Sequence, residues 1–224
     1  HHHPHHSSQS IKCPVCGGHE HEDHQHVLSL GNQPLANAFR TSQEQALALP
    51  RFPLRLVRCT HCHHMHLDTA YDRKILFEHY LYESGTSATL RKYFQWLASK
   101  VTNEIIVQNA SPSISLSVTR TVLEIASNDG SQLDEFKTLG WQTIGVDPAK
   151  NLAQSAKDRG HRIVVGFWGE NVNASSLPTS MVSSLDAIVA QNVLAHVPIP
   201  QKEDYYLRQT FQMGQNKIFC FVPF

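Results

Sequence analysis

The chain of 224 residues has no run of about 18 apolar residues, so the sequence predicts no transmembrane helix. It has no excess of either charge. Nineteen Lys and Arg face nineteen Asp and Glu, which argues against nucleic acid or a charged membrane surface as partner. No Met and no apolar signal segment stand at the start, and there are no internal repeats. Cysteine is scarce, five in all. Without a secretory signal, cysteines in Cys-x-x-Cys pairs read as a metal site in a reducing compartment rather than as disulfides, which points to the cytoplasm. The Gly-x-Gly-x-x-Gly fingerprint is missing too, and this disfavours a pyrophosphate-bearing dinucleotide such as NAD.

What is present is a chain long enough to bury a large core, 41% hydrophobic and 17% charged. Many of its sixteen histidines lie in the opening His1-His2-His3-Pro4-His5-His6, an affinity tag or a natural His-rich tail, and in two clusters beside cysteines. Cys13-Pro14-Val15-Cys16 and Cys59-Thr60-His61-Cys62 each hold two thiols about one tight turn apart, a spacing that lets both reach one tetrahedral zinc ion from the same side. The long stretch between the pairs is tolerable because loop-closure entropy grows slowly with length. Four unrelated cysteines or a redox dithiol are the alternatives, although neither pair follows a thioredoxin-like pattern. The expected site is a structural zinc with Cys13, Cys16, Cys59 and Cys62 as ligands. His19, His21, His24 and His26 follow the first pair, and His61, His63, His64 and His66 surround the second. One of them could replace a thiolate or hold a second metal. With four thiolates available they are expected to be solvated surface residues.

Prolines at 14, 34, 50 and 53 mark residues 11–70 as loop-rich, with short strands expected at Val27–Leu30 and Leu54–Cys59. Leu90, Phe94, Leu97, Val101 and Ile105 then recur at helical spacing and predict an amphipathic helix over roughly 87–108. A Ser/Pro stretch from Asn109 to Ser117 breaks it and reads as a linker. From Thr121 strands alternate with helices: Val122–Ala126, Gln142–Val146, Arg162–Val165 and Asp186–Ala190 as strands, Ser131–Leu139 and Ala149–Arg159 as helices, and Asn171–Ser184 as a polar loop. This alternation predicts an α/β fold, a Rossmann-like, mostly parallel sheet with helices on both faces, preceded by a small zinc-binding domain.

The first of those strands carries the chemistry. Leu123-Glu124-Ile125-Ala126-Ser127 runs into the turn Asn128-Asp129-Gly130 and then a helix, and the second strand ends in Asp147. Turn and helix-start amides can hold a carboxylate or phosphate, and Gly130 permits positive φ. A carboxylate about twenty residues on is placed to accept hydrogen bonds from ribose hydroxyls. Ala126 and Asn128 stand where a dinucleotide fingerprint has glycine. The polar Asn128 and Asp129 suit the amino-acid end of S-adenosylmethionine instead.

Several segments converge on one resemblance. Cys13–Cys16, Leu30-Gly31-Asn32-Gln33-Pro34-Leu35-Ala36-Asn37-Ala38-Phe39, Cys59–Cys62, Tyr80-Leu81-Tyr82-Glu83-Ser84-Gly85-Thr86-Ser87, Leu123–Gly130, Gly145–Ala149 and Asn192-Val193-Leu194-Ala195-His196-Val197-Pro198 match, in order, the deoxysugar C-methyltransferase family. That family joins an N-terminal zinc-binding domain to an S-adenosylmethionine-dependent methyltransferase domain. The resemblance implies a division into a His-rich tail (1–10), a zinc-binding domain (11–70), a helical segment and linker (71–118) and a partial methyltransferase domain (119–224). It implies that Glu124, Ala126, Asn128, Asp129, Gly130, Asp147 and Asn192 bind S-adenosylmethionine. It also implies transfer of a methyl group to a carbon beside a keto group, in a nucleotide-linked 4-keto-deoxysugar or similar small molecule. Such chemistry needs a base for the α-proton and groups that stabilise the enolate. His196, just past a strand at the carboxyl edge of the sheet, suits the first task, and Tyr80 and Tyr82 the second.

The resemblance has limits. Family members continue through a further region that completes the sheet and contains a Glu-His pair, and after Pro198 this chain no longer follows them. A truncated product, a splice form or a fragmentary gene model is therefore expected, with an incomplete sheet. A helix over Glu203–Met213 and a strand over Lys217–Val222 are the predicted remainder. Glu83 stands where some members carry another Tyr, which weakens either Tyr as the base. The competing readings are a non-catalytic zinc- and cofactor-binding remnant and, opposed by the charge balance, a zinc-ribbon nucleic-acid binder.

Overall fold

The computed structural model describes residues 9–10, 12–17, 24–108, 119–193, 196 and 218–222. They divide into two compact units, one up to Phe77 and one from Glu78. The segment expected as a helical connector from 71 therefore divides, with Phe77 closing the first unit.

The first unit contains β1 (Gln9–Ser10), β2 (His24–Pro34), α1 (Gln43–Leu47), β3 (Arg51–Cys59), β4 (Met65–Leu67), β5 (Thr69–Ala70) and α2 (Arg73–Phe77). β2, β3 and β4 form an antiparallel sheet in that order, and β1 pairs with β5. β2 runs well beyond the predicted Val27–Leu30. Register shifts between His26 and Leu28 and between Ser29 and Asn32 interrupt its pairing, as β-bulges do. Ser42 caps α1 by accepting a hydrogen bond from the Gln45 amide. The core of this unit is thin. Among its described residues the buried apolar side chains are Val57 and the cysteines Cys13 and Cys59.

The second unit is a doubly covered parallel sheet. After the long α3 (Ala88–Gln108) come β6 (Thr121–Ile125), α4 (Ser131–Thr138), β7 (Gln142–Asp147), α5 (Lys150–Asp158), β8 (Arg162–Val165), α6 (Thr179–Ser183), β9 (Leu185–Gln191) and β10 (Ile218–Val222). Strand order is β10-β9-β6-β7-β8 and every described pairing is parallel. β6 is central and buried throughout, as expected of a strand covered on both faces.

Alternation along the strands sorts the core into two layers. Val122, Ile163, Ala187 and Val189 pack with Leu97, Val101 and Ile105 of α3, Leu133 and Phe136 of α4, and Ala153 and Ala156 of α5. Leu123, Ile125, Ile144, Val146, Ile188 and Ala190 face the other way, against Val172 and Leu177. Full burial of one such side chain contributes about 1.5–3 kcal/mol, so these layers hold the strand ends in fixed register. The polar loop expected over Asn171–Ser184 is not simply a loop. It contains α6 and a 3-10 turn at Ala174–Ser176 capped by Asn173, and its Val172 and Leu177 cover the second face. No helix among the described residues is long and apolar enough to cross a membrane. The predicted linker, and the predicted helix over Glu203–Met213, lie outside the described residues.

Candidate metal centre and cofactor edge

In the first unit the two Cys-x-x-Cys turns are built alike. The Gly17 amide donates to the Cys13 carbonyl at 2.9 Å, and the His63 amide to the Cys59 carbonyl at 3.0 Å. Gly17 and His63 hold the same position after their pairs, and both have positive φ, 68° and 63°. Glycine meets that requirement without cost, whereas His63 adopts it with its ring bonded to the Arg58 guanidinium at 2.8 Å. These turns aim all four thiols at one point. Cys13 and Cys62 sulfurs lie 3.5 Å apart, those of Cys16 and Cys59 lie 3.6 Å apart, and all four fall within 4.8 Å of one another.

Zinc–sulfur bonds of about 2.3 Å in a tetrahedron place sulfurs about 3.8 Å apart, so the cluster fits a zinc ion. The electrostatics agree. The backbone N–H of Cys62, and less strongly that of His61, holds the Cys59 thiol down to about 6 against the effect of burial, favouring the thiolate a metal needs. Burial pushes the Cys13 thiol up, a cost that a cation would offset. No other group of three or more metal-ligating side chains occurs among the described residues.

The histidines need one correction. His26, His61, His63 and His64 are exposed, as expected, but His24 is half-buried and His66 is buried. His66 stands across from Val57 in the sheet, its Nδ1 meets the Leu67 carbonyl at 2.7 Å and its ring packs edge-on against His24. Here histidine serves as part of the small core. His19 and His21 lie outside the described residues.

In the second unit the predicted cofactor residues gather at the carboxyl edge of β6, β7 and β9. Ala126 (φ 59°), Asn128 (φ 50°), Gly130 (φ 80°) and Asn192 (φ 52°) all adopt positive φ there. Ala126 thus takes the backbone conformation of a glycine without being one, and such strain collects at ligand sites. A side chain at Gly130 would be strained by its positive φ and tightly packed, with an added Cβ 3.1 Å from Ala156 Cβ and 3.2 Å from the His161 ring. His161 is locked behind the turn between Thr143 Oγ1 (2.8 Å) and Asp134 Oδ1 (2.7 Å).

Asp147, buried at the end of β7, accepts the Asn128 amide on Oδ2 at 2.7 Å and the Ala149 amide on Oδ1 at 2.8 Å. These two bonds tie the turn to the start of α5 and leave each oxygen a second lone pair for a ligand. Burial raises its pKa, and the two amides oppose that rise. Three further polar atoms at this edge are buried without a hydrogen-bond partner: Glu124 Oε2, Ser127 Oγ and Gln191 Oε1. Burial, then the neighbouring Asp147 and Asp129, raises the Glu124 carboxyl well above its ordinary range. Orphaned polar atoms cost about 1–3 kcal/mol each, so ordered water or a polar ligand is expected to meet these three.

The Asn128 and Asp129 side chains turn out to have protein partners. Asn128 accepts from the Ser84 amide at 2.9 Å and donates to the Tyr82 carbonyl at 3.0 Å, while Asp129 accepts from the Gly85 amide at 2.9 Å. They fix the tyrosine segment against the turn. Tyr80 is half-buried and Tyr82 exposed, their rings 6.5 Å apart and edge-on. His196 is exposed beyond β9, its amide bonded to the Val193 carbonyl at 2.9 Å. Ser127, Gln191 and Asn151, the last bonded to Tyr80, are the residues of this edge that the sequence did not single out. The only signal for them was polarity at the ends of strands and in the first turn of a helix.

Comparison with known proteins assigns both units of the chain to families. Residues 13–77 match the family model of a zinc binding domain, and residues 123–209 that of a methyltransferase domain. The chain therefore carries a zinc binding domain followed by a methyltransferase domain, the order found in the deoxysugar C-methyltransferases it resembles. It is similar to C-methyltransferase NovU of Streptomyces niveus, 34% identical over 160 residues, which is 71% of this chain and 35% of that protein. The chain thus spans about a third of that relative's length. Among solved structures, CalS10, an amino pentose methyltransferase from Micromonospora echinaspora with S-adenosylmethionine bound, gives a TM-score of 0.47 at 15% identity, covering 65% of this chain and 58% of that one. The sugar N-methyltransferase KedS8 from Streptoalloteichus sp ATCC 53650 gives 0.45 at 12%, covering 58% and 49%.

Proposed function

We propose that the protein is an S-adenosylmethionine-dependent C-methyltransferase acting in the cytoplasm on a keto-sugar, nucleotide-linked or similar in size and polarity. The observation that carries this reading is the set of orphaned buried atoms, Glu124 Oε2, Ser127 Oγ and Gln191 Oε1, beside the Asp147 carboxylate at the edge where open α/β sheets bind ligands. Asp147 suits ribose hydroxyls, and Glu124, Ala126, Asn128, Asp129, Gly130 and Asn192 complete the wall around the cofactor. When bound, S-adenosylmethionine supplies an electrophilic methyl group on sulfur.

The rest falls to the chain's own side chains. His196 takes the proton from the carbon beside the keto group, a task suited to an imidazole near neutrality. The Tyr80 and Tyr82 hydroxyls donate hydrogen bonds to the oxygen on which enolate charge develops. The zinc domain, with Cys13, Cys16, Cys59 and Cys62 as ligands, has a structural role.

Calorimetry on the zinc-loaded chain with S-adenosylhomocysteine, the demethylated product, tests the core of this reading. Binding is expected, with a loss of at least tenfold in Asp147→Asn, where an amide NH2 would face a backbone N–H at an acceptor position. Absence of heat with folded wild-type protein overturns it.

A further inference from the structure

Residues 78–86 have a regularity that the proposed chemistry does not require. At every second residue the backbone is gripped from below. The Lys150 amide donates to the Glu78 carbonyl at 3.2 Å, and the two side chains form an ion pair at 3.1 Å. Asn151 grips Tyr80 twice, its Oδ1 accepting from the Tyr80 amide at 3.0 Å and its Nδ2 donating to the Tyr80 carbonyl at 2.7 Å. Asn128 repeats the pattern on the Tyr82 carbonyl and the Ser84 amide, and Asp129 takes the Gly85 amide. Arg91 closes the far end on the Gly85 carbonyl. A side chain at Gly85 has no room, because its Cβ would fall 2.8 Å from Asp129 Oδ2 and closer still to Ser131 Oγ.

The anchors follow a path. Lys150 and Asn151 open α5 just after Asp147, and Asn128 and Asp129 form the turn after β6. The segment therefore crosses the carboxyl edge from the end of β7, which carries Asp147, to the turn after β6. Side-chain amides, paired in both directions with backbone, fix position without competing for a charged ligand. They leave the Tyr80 and Tyr82 rings as the groups this strap presents.

We propose that residues 78–86 form a strap over the cofactor edge and that Asn151 is its positioning residue, setting Tyr80 through the reciprocal pair of hydrogen bonds. This rests on the S-adenosylmethionine reading above, and the test separates the two. Asn151 is exposed on its helix, so its replacement should leave the fold intact.

The zinc-loaded wild-type chain, Asn151→Ala and Asn151→Asp are compared by amide hydrogen exchange and by calorimetry with S-adenosylhomocysteine. In Asn151→Ala the amides of residues 80–85 should exchange faster while those of β6 and β7 do not, and the dissociation constant should rise about tenfold or more for two lost hydrogen bonds. Asn151→Asp keeps the acceptor for the Tyr80 amide but loses the donor, so it should recover part of the affinity. Unchanged exchange in Asn151→Ala overturns the strap. Faster exchange with wild-type affinity overturns its positioning role and leaves the cofactor reading standing. Failure of wild type to bind at all removes both.

Discussion

Gly145 offers the sharpest test of how the sheet supports the cofactor turn. It lies in β7 opposite Glu124 of β6 and Ile163 of β8. A methyl group there would sit 2.7 Å from Ile163 Cδ1 and 2.9 Å from Ser127 Cβ, and nearer still to Ser127 Oγ. Ordinary contact begins at 3.4 Å, so Ile163 Cδ1 must retreat by 0.7 Å and Ser127 Cβ by 0.5 Å, with Ser127 Oγ moving further. Ile163 can shift a methyl end. Ser127 cannot move alone, because its amide is bonded to the Val146 carbonyl and its carbonyl to the Gly130 amide.

The overpacking in Gly145→Ala should therefore cost about 1–3 kcal/mol of stability and displace the turn with it. Gly140→Ala is the matched control. Nothing lies within 4 Å of its Cβ, but its φ of +84° makes alanine strained by about 1–2 kcal/mol. Urea unfolding followed by circular dichroism should show comparable losses in the two variants. Calorimetry with S-adenosylhomocysteine should show a loss of tenfold or more only in Gly145→Ala. Equal affinities in the two would refute the view that β7 packing sets the turn.

Two other outcomes follow from the burial pattern. Removing zinc with a chelator should unfold the first unit and leave the second folded. Val57 is the one buried aliphatic side chain among the first unit's described residues, and structural zinc contributes about 10–16 kcal/mol in small domains. Native hydrogen-exchange protection in 24–70 after verified metal loss would contradict this. Glu124 should impose a pH slope of defined sign. Its folded pKa is raised, chiefly by burial, so the folded state keeps a proton that the unfolded chain releases above about 4.5. Stability from this group is therefore lost as pH rises from that value towards the folded pKa, at about 1.4 kcal/mol per unit of displacement. Glu124→Gln should melt higher than wild type at neutral pH and converge with it in acid; parallel melting curves across pH would rule this out.

The second unit was legible in sequence because its strands are covered on both faces. Continuous apolar runs such as Val122–Ile125 and Ile188–Ala190, separated by helix-period stretches, leave few alternatives, and α3 follows from Phe94, Leu97, Val101 and Ile105 alone. The first unit was less legible for the opposite reason. β2 is exposed along nearly its whole length, so no alternation marks it, and its eleven residues are held by backbone pairing with β3. Its core is made of sulfur, a histidine and one valine, and no hydropathy pattern announces that. The segment from 171 to 184 was misread because two buried side chains, Val172 and Leu177, are enough to seat an otherwise polar stretch on the sheet.

The cofactor edge shows a different limit. Residue type and spacing place the Asn128–Gly130 turn and Asp147 at the carboxyl edge of the sheet, because each follows or ends a strand whose position hydrophobicity fixes. Spacing could not say what those side chains would touch. Asn128 and Asp129 looked like ligand contacts, yet the structure binds them to backbone 44 residues or more upstream, at Tyr82, Ser84 and Gly85. Asn151, which looked like any solvated residue in the first turn of a helix, pairs with Tyr80 at a separation of 71. The polar turn and the tyrosine segment were read as two motifs with separate duties. Their hydrogen bonds make them one structural unit, in which the turn holds the tyrosine segment by its backbone.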